Sequence, residues 1–149
     1  MGNKRETRIE NRKARFEYNI FEDYEAGIVL EGQEVKSIRD GKASIIDSFC
    51  RILRNEIFVF GMHIAHYENA RELLDPKRKR KLLLKRDEID HLASKVVERG
   101  FTLIPLSLYF NKRGKAKLKI GLCKGKKQYE KRDTIKKREL EREIRRQFS

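Results

Sequence analysis

Several things are scarce in this chain, and each scarcity narrows what it can be. No run of about eighteen apolar residues occurs, and the N-terminus lacks an apolar signal region. Neither a membrane-spanning helix nor a secretory leader is therefore expected, and the protein is read as cytoplasmic. Only two cysteines are present, Cys50 and Cys123, on separate expected strands and without a CxxC spacing. That excludes a disulfide-stapled scaffold and leaves both as reduced core or edge residues. The glycine-rich GxxxxGK(S/T) phosphate loop is missing. Histidines number three, and the close pair His63 and His66 has neither the glutamate nor the third ligand that a zinc site needs. The carboxylate pairs Glu22 with Asp23 and Asp87 with Glu88 have ready roles as surface or helix-start charges. No enzyme activity, metal or cofactor is expected, with a metal-dependent hydrolase built on His63 and His66 as the outlying alternative.

Acidic residues are also in deficit. Against 37 lysines and arginines stand 23 acids, giving a net charge of +14 in a chain that is 40% charged. The excess lies in three blocks: residues 1–15 carry +4, residues 71–86 carry +6 and residues 124–149 carry +6, while the remainder is slightly acidic. Concentrated positive charge is what neutralising a polyanion with counterion release requires. Nucleic acid and anionic membrane both qualify as partner, and the competing reading is the solvated, lysine-rich surface of a heat-stable protein. At 149 residues the chain is one domain's worth.

Residues 1–10 are polar and read as a flexible arm. Phe16, Tyr18 and Ile20 alternate as a first strand. Phe21 to Leu30 is expected as a short helix, and Glu31 to Ala43 as a strand ending in a turn at Asp40 and Gly41. Ser48–Leu53 and Ile57–Met62, separated by Arg54, Asn55 and Glu56, give a hairpin signal. In Asp75–Leu84, five consecutive basic residues precede three leucines, as a loop leading into a buried segment would. Asp87 is expected to cap a helix bearing Ile89, Leu92, Ala93, Val96 and Val97, stopped by Gly100. Phe101–Phe110 and Lys115–Leu122 form a last hairpin, Pro105 marking an edge or bulge. In its second strand Lys115, Lys117 and Lys119 face outward opposite Leu118, Ile120 and Leu122.

The expected fold is mainly β with flanking helices: an OB-like antiparallel β-barrel over residues 11–123, followed by a basic tail over 124–149 that is disordered until bound. In the tail Lys126, Lys127, Lys131 and Arg132 flank Tyr129, a pattern suited to phosphates and to stacking on an unpaired base. A solvated linker would have the same composition. Beyond it Ile135, Leu140, Ile144 and Phe148 approximate one helical stripe, too thin to hold a helix alone.

With these residues in view the chain resembles the SsrA-binding protein (small protein B) family, partners of bacterial transfer-messenger RNA. The likeness is carried by NRKARFEY (11–18), EAG (25–27), EVKSIRDGKA (34–43), RKLLL (80–84), LSLYF (106–110) and KIGLCKGKKQYEKR (119–132), in order and at family spacing. The resemblance implies binding to the tRNA-like domain of that RNA and its delivery to stalled ribosomes for trans-translation. Alanyl-tRNA synthetase and elongation factor Tu would be reached only through the RNA, the protein acting as a monomer with no membrane partner. A general structured-RNA binder or ribosome-associated chaperone is the alternative.

Carried over by position, Asn11, Glu25, Leu83 and Lys117 match family residues associated with the tRNA-like domain, and Arg12, Lys13, Lys36, Arg39 and Lys119 complete the expected RNA-binding set. Lys124, Gly125, Lys126 and Lys127 match a hinge, Gly125 being its swivel. Tyr129, Glu130, Lys131, Arg132, Lys136, Lys137 and Arg138 are expected to enter the decoding centre and mRNA channel as a helix. Tyr129 stands where the family often has histidine, and Glu130 where it usually has aspartate. The first change keeps a stacking ring and loses an imidazole; the second keeps charge.

Overall fold

The computed structural model describes residues 7–98 and 100–148. Residues 1–6 of the expected arm lie outside them, but Arg8–Glu10 is a strand, β1. Asn11 then starts a short helix, α1 (Arg12–Glu17), its side-chain oxygen accepting from the Ala14 amide at 3.1 Å. Phe16 thus lies on a helix of good formers, and the strand expected there begins only at Tyr18. That strand, β2 (Tyr18–Ile28), runs straight through the segment expected as a helix, with ladder partners along both edges.

The strand expected over Glu31–Ala43 is instead α2 (Gly32–Arg39). The Glu34 carboxylate accepts from the Glu31 amide at 3.0 Å and satisfies a helix-start donor, so the Glu31-to-Glu34 spacing was the overlooked signal. The turn falls where expected, with Gly41 at φ 73°. Two-residue strands β3 (Ala43–Ser44) and β6 (His63–Ile64) pair with each other. Between them β4 (Phe49–Leu53) and β5 (Glu56–Phe60) form the expected hairpin, its turn residues Arg54 and Asn55 both at positive φ (50° and 65°).

The basic run at 77–81 ends inside a strand, β7 (Arg80–Leu83). It leads to α3 (Arg86–Val96), whose cap residue is Lys85 rather than Asp87; Glu88 accepts from the Lys85 amide at 3.0 Å, and Asp87 places charge in the first turn. β8 (Phe101–Phe110) and β9 (Ala116–Gly125) follow, with a register shift between Pro105 and Ser107 that bears out the bulge. The chain ends in α4 (Gln128–Phe148).

The pairings β8–β4–β5–β7–β2–β9 return to β8, so six antiparallel strands make an OB-like ring, and β1 adds to the free edge of β8. Inside the ring lie Ala26, Ile57, Val59, Leu82, Leu103, Leu118, Ile120 and Leu122, joined by Ile38 of α2 and by Ile89 and Leu92 of α3. The alternation in β9 that put Leu118, Ile120 and Leu122 inward is therefore what the ring uses. A smaller cluster on the outside, Ala14, Ile104, Leu106 and Cys123, seats α1 over part of β8 and β9. Gly121 permits that contact, since a Cβ there would come within 2.9 Å of Leu106 Cδ1. Both cysteines are free and buried, and burial raises each thiol above its ordinary value, Cys123 to about 11.

The tail begins later than expected. Its first two residues, Lys124 and Gly125, extend β9 opposite Asn19 and Tyr18. The joint therefore falls after Gly125, at Lys126 and Lys127, where the Lys126 amide donates to Glu17 O at 2.7 Å. The rest is helical, as α4. Asn19 Nδ2 donates to Glu130 at 2.5 Å and the Arg138 guanidinium lies 5.6 Å from the Phe16 ring, so the start of β2 and α1 together supply the contacts that the thin apolar stripe does not.

Candidate nucleic-acid interface

α1 covers only one end of the ring's outer surface. On the remainder, register fixes which side chains share a row, because residues paired across strands point to the same face. One row runs Leu83 (β7), Gly27 (β2), Lys117 (β9), Tyr109 (β8) and Arg8 (β1). The next contains Glu25, Lys119, Ser107 and Glu10. Five strands thus bring together residues more than a hundred positions apart in sequence.

Gly27 lets Leu83 lie close across the sheet: a Cβ at 27 would meet Leu83 Cβ at 3.2 Å. Leu83 remains 53% exposed, an unusual placement for leucine on a polar face and one that suits an apolar contact to a base or sugar. Lys117 and Lys119 are half-buried, and neither makes an ion pair among the described residues. Their charge is available to phosphate.

Two acids stand among them, Glu10, which pairs with Arg8, and Glu25, which is exposed. The Glu25 carboxylate accepts the Tyr109 hydroxyl, and the Arg8 guanidinium lies 4.7 Å from the Tyr109 ring centroid. Burial, and then the bond to Glu25, push the Tyr109 phenol up to about 12, so it stays a donor. Tyr109 and Arg8 were not singled out by sequence reasoning. Nothing local marks them; the β8–β9 pairing places Tyr109 in the row and the β1–β8 pairing adds Arg8.

Other expected residues lie elsewhere. Asn11 is buried and fully engaged: besides capping α1 it donates through Nδ2 to Pro105 O at 2.9 Å and Ile45 O at 3.2 Å. Its role is to fix α1 against β8. Arg12 and Lys13 are exposed on α1, with Lys13 paired to Asp47 at 2.7 Å. Lys36 and Arg39 project from α2. Lys36 lies 5.4 Å from the Tyr67 ring, whereas Arg39 stacks 4.3 Å from Phe110 and donates to Gly114 O at 3.1 Å, beside the hairpin that carries Lys117.

Part of the 71–86 charge block is turned inward. Arg80, 1% exposed, donates to Glu34 (2.7 Å), Met62 O (2.7 Å) and Pro76 O (3.0 Å), and Arg78 also donates to Glu34. Burial alone would raise the Glu34 carboxyl, yet the bonds from Arg78, the Glu31 amide and Arg80 hold it below its ordinary value. These arginines hold the loop before β7 onto α2.

On the tail, Lys127, Tyr129 and Arg132 are exposed and Lys131 partly so, along with Lys136, Lys137 and Arg138. Tyr129 is 61% exposed, and its ring meets no other ring or cation among the described residues. Glu130 is held below its ordinary value by Asn19 first and then by the Lys127 amide, so its charge is committed to the helix start. Ile135, Leu140 and Ile144 are exposed. A spacing of five places Ile135 about 140° from Leu140 around the helix, so the expected stripe is broken. Lys124 is drawn instead to two rings, 4.3 Å from Phe101 and 5.8 Å from Phe21.

His63 is exposed on β6, and His66 Nδ1 is buried without a partner. Among the described residues no three His, Cys, Asp or Glu gather as metal ligands, and no helix is long and apolar enough to cross a membrane.

A family model described as SmpB protein matches residues 8–149. The chain belongs to the SmpB family. Relatives support this: the SsrA-binding protein of Chlorobaculum tepidum is 52% identical over 139 residues, covering 93% of this chain and 88% of its own. That of Desulforudis audaxviator is 54% identical, covering 93% and 90%. A solved SmpB chain, described under "tmRNA-SmpB: a journey to the center of the bacterial ribosome", superposes with a TM-score of 0.70 at 49% identity, over 82% of this chain and 86% of that one. The OB-like ring is thus an SmpB fold, and the open face and basic helix are features of an SmpB chain.

Proposed function

We propose that this protein binds the tRNA-like domain of transfer-messenger RNA with the outer face of its sheet and delivers it to stalled ribosomes for trans-translation. The observation that carries this reading is the row Leu83, Gly27, Lys117, Tyr109 and Arg8, which presents a lysine with no ion pair among the described residues, an arginine over a ring and an apolar contact on one surface. Membership of a family whose relatives are named for binding SsrA supports the target, and the solved tmRNA–SmpB chain supports the ribosome as the second partner.

Labour is divided between the two parts. The body through Gly125 holds the RNA, and α4 is the ribosomal element, carrying Tyr129 and its basic neighbours to the decoding centre and the mRNA channel. Asn11 serves the body by locking α1, while Arg12, Lys13, Lys36 and Arg39 ring the face and add long-range attraction. The protein is a cytoplasmic, non-enzymatic adaptor, which the buried, high-pKa thiols suit.

The test is affinity for a tRNA-like transcript across a salt series, with full-length protein and a form ending at Lys127. Truncation should leave body binding largely intact, with log affinity falling against log salt by about 0.7 to 0.9 per phosphate contacted. It should abolish tagging of a stalled nascent chain. Loss of RNA binding with the tail, or equal affinity for bulk tRNA, would refute the reading, the latter in favour of a general RNA binder.

A further inference from the structure

An acid in the middle of an RNA-binding face needs a physical reason, because a carboxylate repels phosphate. Glu25 sits opposite Lys119 in the β2–β9 ladder, yet its hydrogen bond goes to the Tyr109 hydroxyl on the next strand but one. Tyr109 in turn carries the Arg8 guanidinium over its ring at 4.7 Å, and Arg8 is held from the other side by Glu10, Nε to Oε1 at 2.5 Å. Arg8 is paired with Tyr109 by backbone register as well, so strand and side-chain contacts agree.

We propose, on the footing of the RNA-binding reading above, that Arg8 stacked on Tyr109 is a further phosphate-binding element and that Glu25 is a positioning residue which never touches RNA. Glu25 fixes the phenol, the phenol fixes the plane of the ring, and the ring holds the guanidinium over its face. With Nε committed to Glu10, the Nη edge is left to form a paired contact to phosphate oxygens. A guanidinium already ordered on a ring loses little freedom on binding, which is what a preformed contact requires. Lys117 lies beside Tyr109 in the same row, so one backbone segment of the RNA can span both cations.

The experiment is a double-mutant cycle on full-length protein, read as affinity for a tRNA-like transcript over a salt series. Arg8→Gln should weaken binding about tenfold and lower the salt slope by about one phosphate's worth, 0.7 to 0.9. Glu25→Ala and Tyr109→Phe should each weaken binding about five- to tenfold. Glu25→Gln, which can still accept from the phenol, should stay within about twofold of wild type. In the Arg8→Gln background, Glu25→Ala should add less than about twofold.

A slope unchanged by Arg8→Gln overturns the proposal, because a merely structural arginine would not move it. A full Glu25→Ala effect persisting in the Arg8→Gln background also overturns it, placing Glu25 on the RNA itself. Should wild type show no preference for tRNA-like over bulk tRNA, the proposed target fails while the cycle is read on bulk tRNA. No binding to either overturns both.

Discussion

Glu34→Gln tests whether the basic block at 71–86 serves the fold or the RNA. The Glu34 side chain is 4% exposed and the Arg80 guanidinium 0%, and the two meet at 2.6 Å, with Arg78 on the other carboxylate oxygen. Glutamine preserves size and one acceptor, but leaves a buried guanidinium without its counter-charge. Breaking a buried pair from one side costs about 3 to 5 kcal/mol. Against a total stability of about 5 to 15 kcal/mol, that is a large part of what holds the domain folded. Arg80 keeps its bonds to Met62 O and Pro76 O, so the lower end, about 3 kcal/mol, is the expected value. Urea unfolding followed by circular dichroism reads it directly, the midpoint falling at unchanged slope.

The same pair makes a pH prediction. Folding lowers the Glu34 carboxyl from its ordinary 4.5, so the unfolded chain binds the proton more readily than the folded one. The stability this confers is complete above pH 4.5 and is lost as pH falls through the lower folded value. Glu34→Gln should remove that part of the acid limb. A joint Glu34→Leu, Arg80→Met replacement should be less damaging than either change alone, because no fully buried charge is orphaned and Arg78, 30% exposed, can turn to water. A loss under about 1 kcal/mol with an unaltered acid limb would show that the arginines are not held by Glu34 and are free for RNA.

Lys117→Glu should weaken binding to the tRNA-like transcript about tenfold or more with little change in melting temperature, since Lys117 makes no ion pair among the described residues; unchanged affinity would move it off the interface. Asn11→Ala should behave oppositely, costing about 2 kcal/mol of stability through the lost cap and the lost bonds to the carbonyls of Pro105 and Ile45, the latter still held by Ser48, with the salt slope unaffected. Gly121→Ala should destabilise by about 1 to 3 kcal/mol, because Leu106 must yield under α1; a neutral result in thermal melts would mean that the α1 cluster is loosely packed. Tyr129→Ala should leave RNA affinity intact and impair tagging, and equal loss of both would place its ring on the body's interface.

What the sequence disclosed and what it hid divide along a physical line. Elements with a local signature were legible: the Arg54–Asn55 hairpin, the α3 stripe, the bulge at Pro105 and the alternating β9 all rest on neighbours a few residues apart. The misread stretches were those where two local rules competed. In Glu31–Ala43 the β-branched centre suggested a strand, and the helix start made by Glu34 prevailed because the same carboxylate also receives Arg78 and Arg80 from 44 and 46 residues away. In Phe21–Leu30 a helical spacing of Tyr24 and Ile28 lost to ladders supplied by β7 and β9.

The same distinction governs the site. Lysines are visible as charge, so Lys117 and Lys119 could be nominated from their strand alone. A charge count cannot tell a cation aimed at solvent from one spent internally, and it put the buried Arg80 in a basic block while leaving Lys117 outside all three. Nor does any pattern within residues 1–10 reveal that Arg8 pairs with Tyr109 across 101 positions, because register is a property of the assembled sheet. The resemblance to SsrA-binding proteins supplied Glu25 without a reason for it. The reason lies in the row: an acid is tolerable on a phosphate-binding surface when its charge is already committed to a neighbouring hydroxyl. By that logic the sign of a residue on this face matters less than whether another residue has already claimed it.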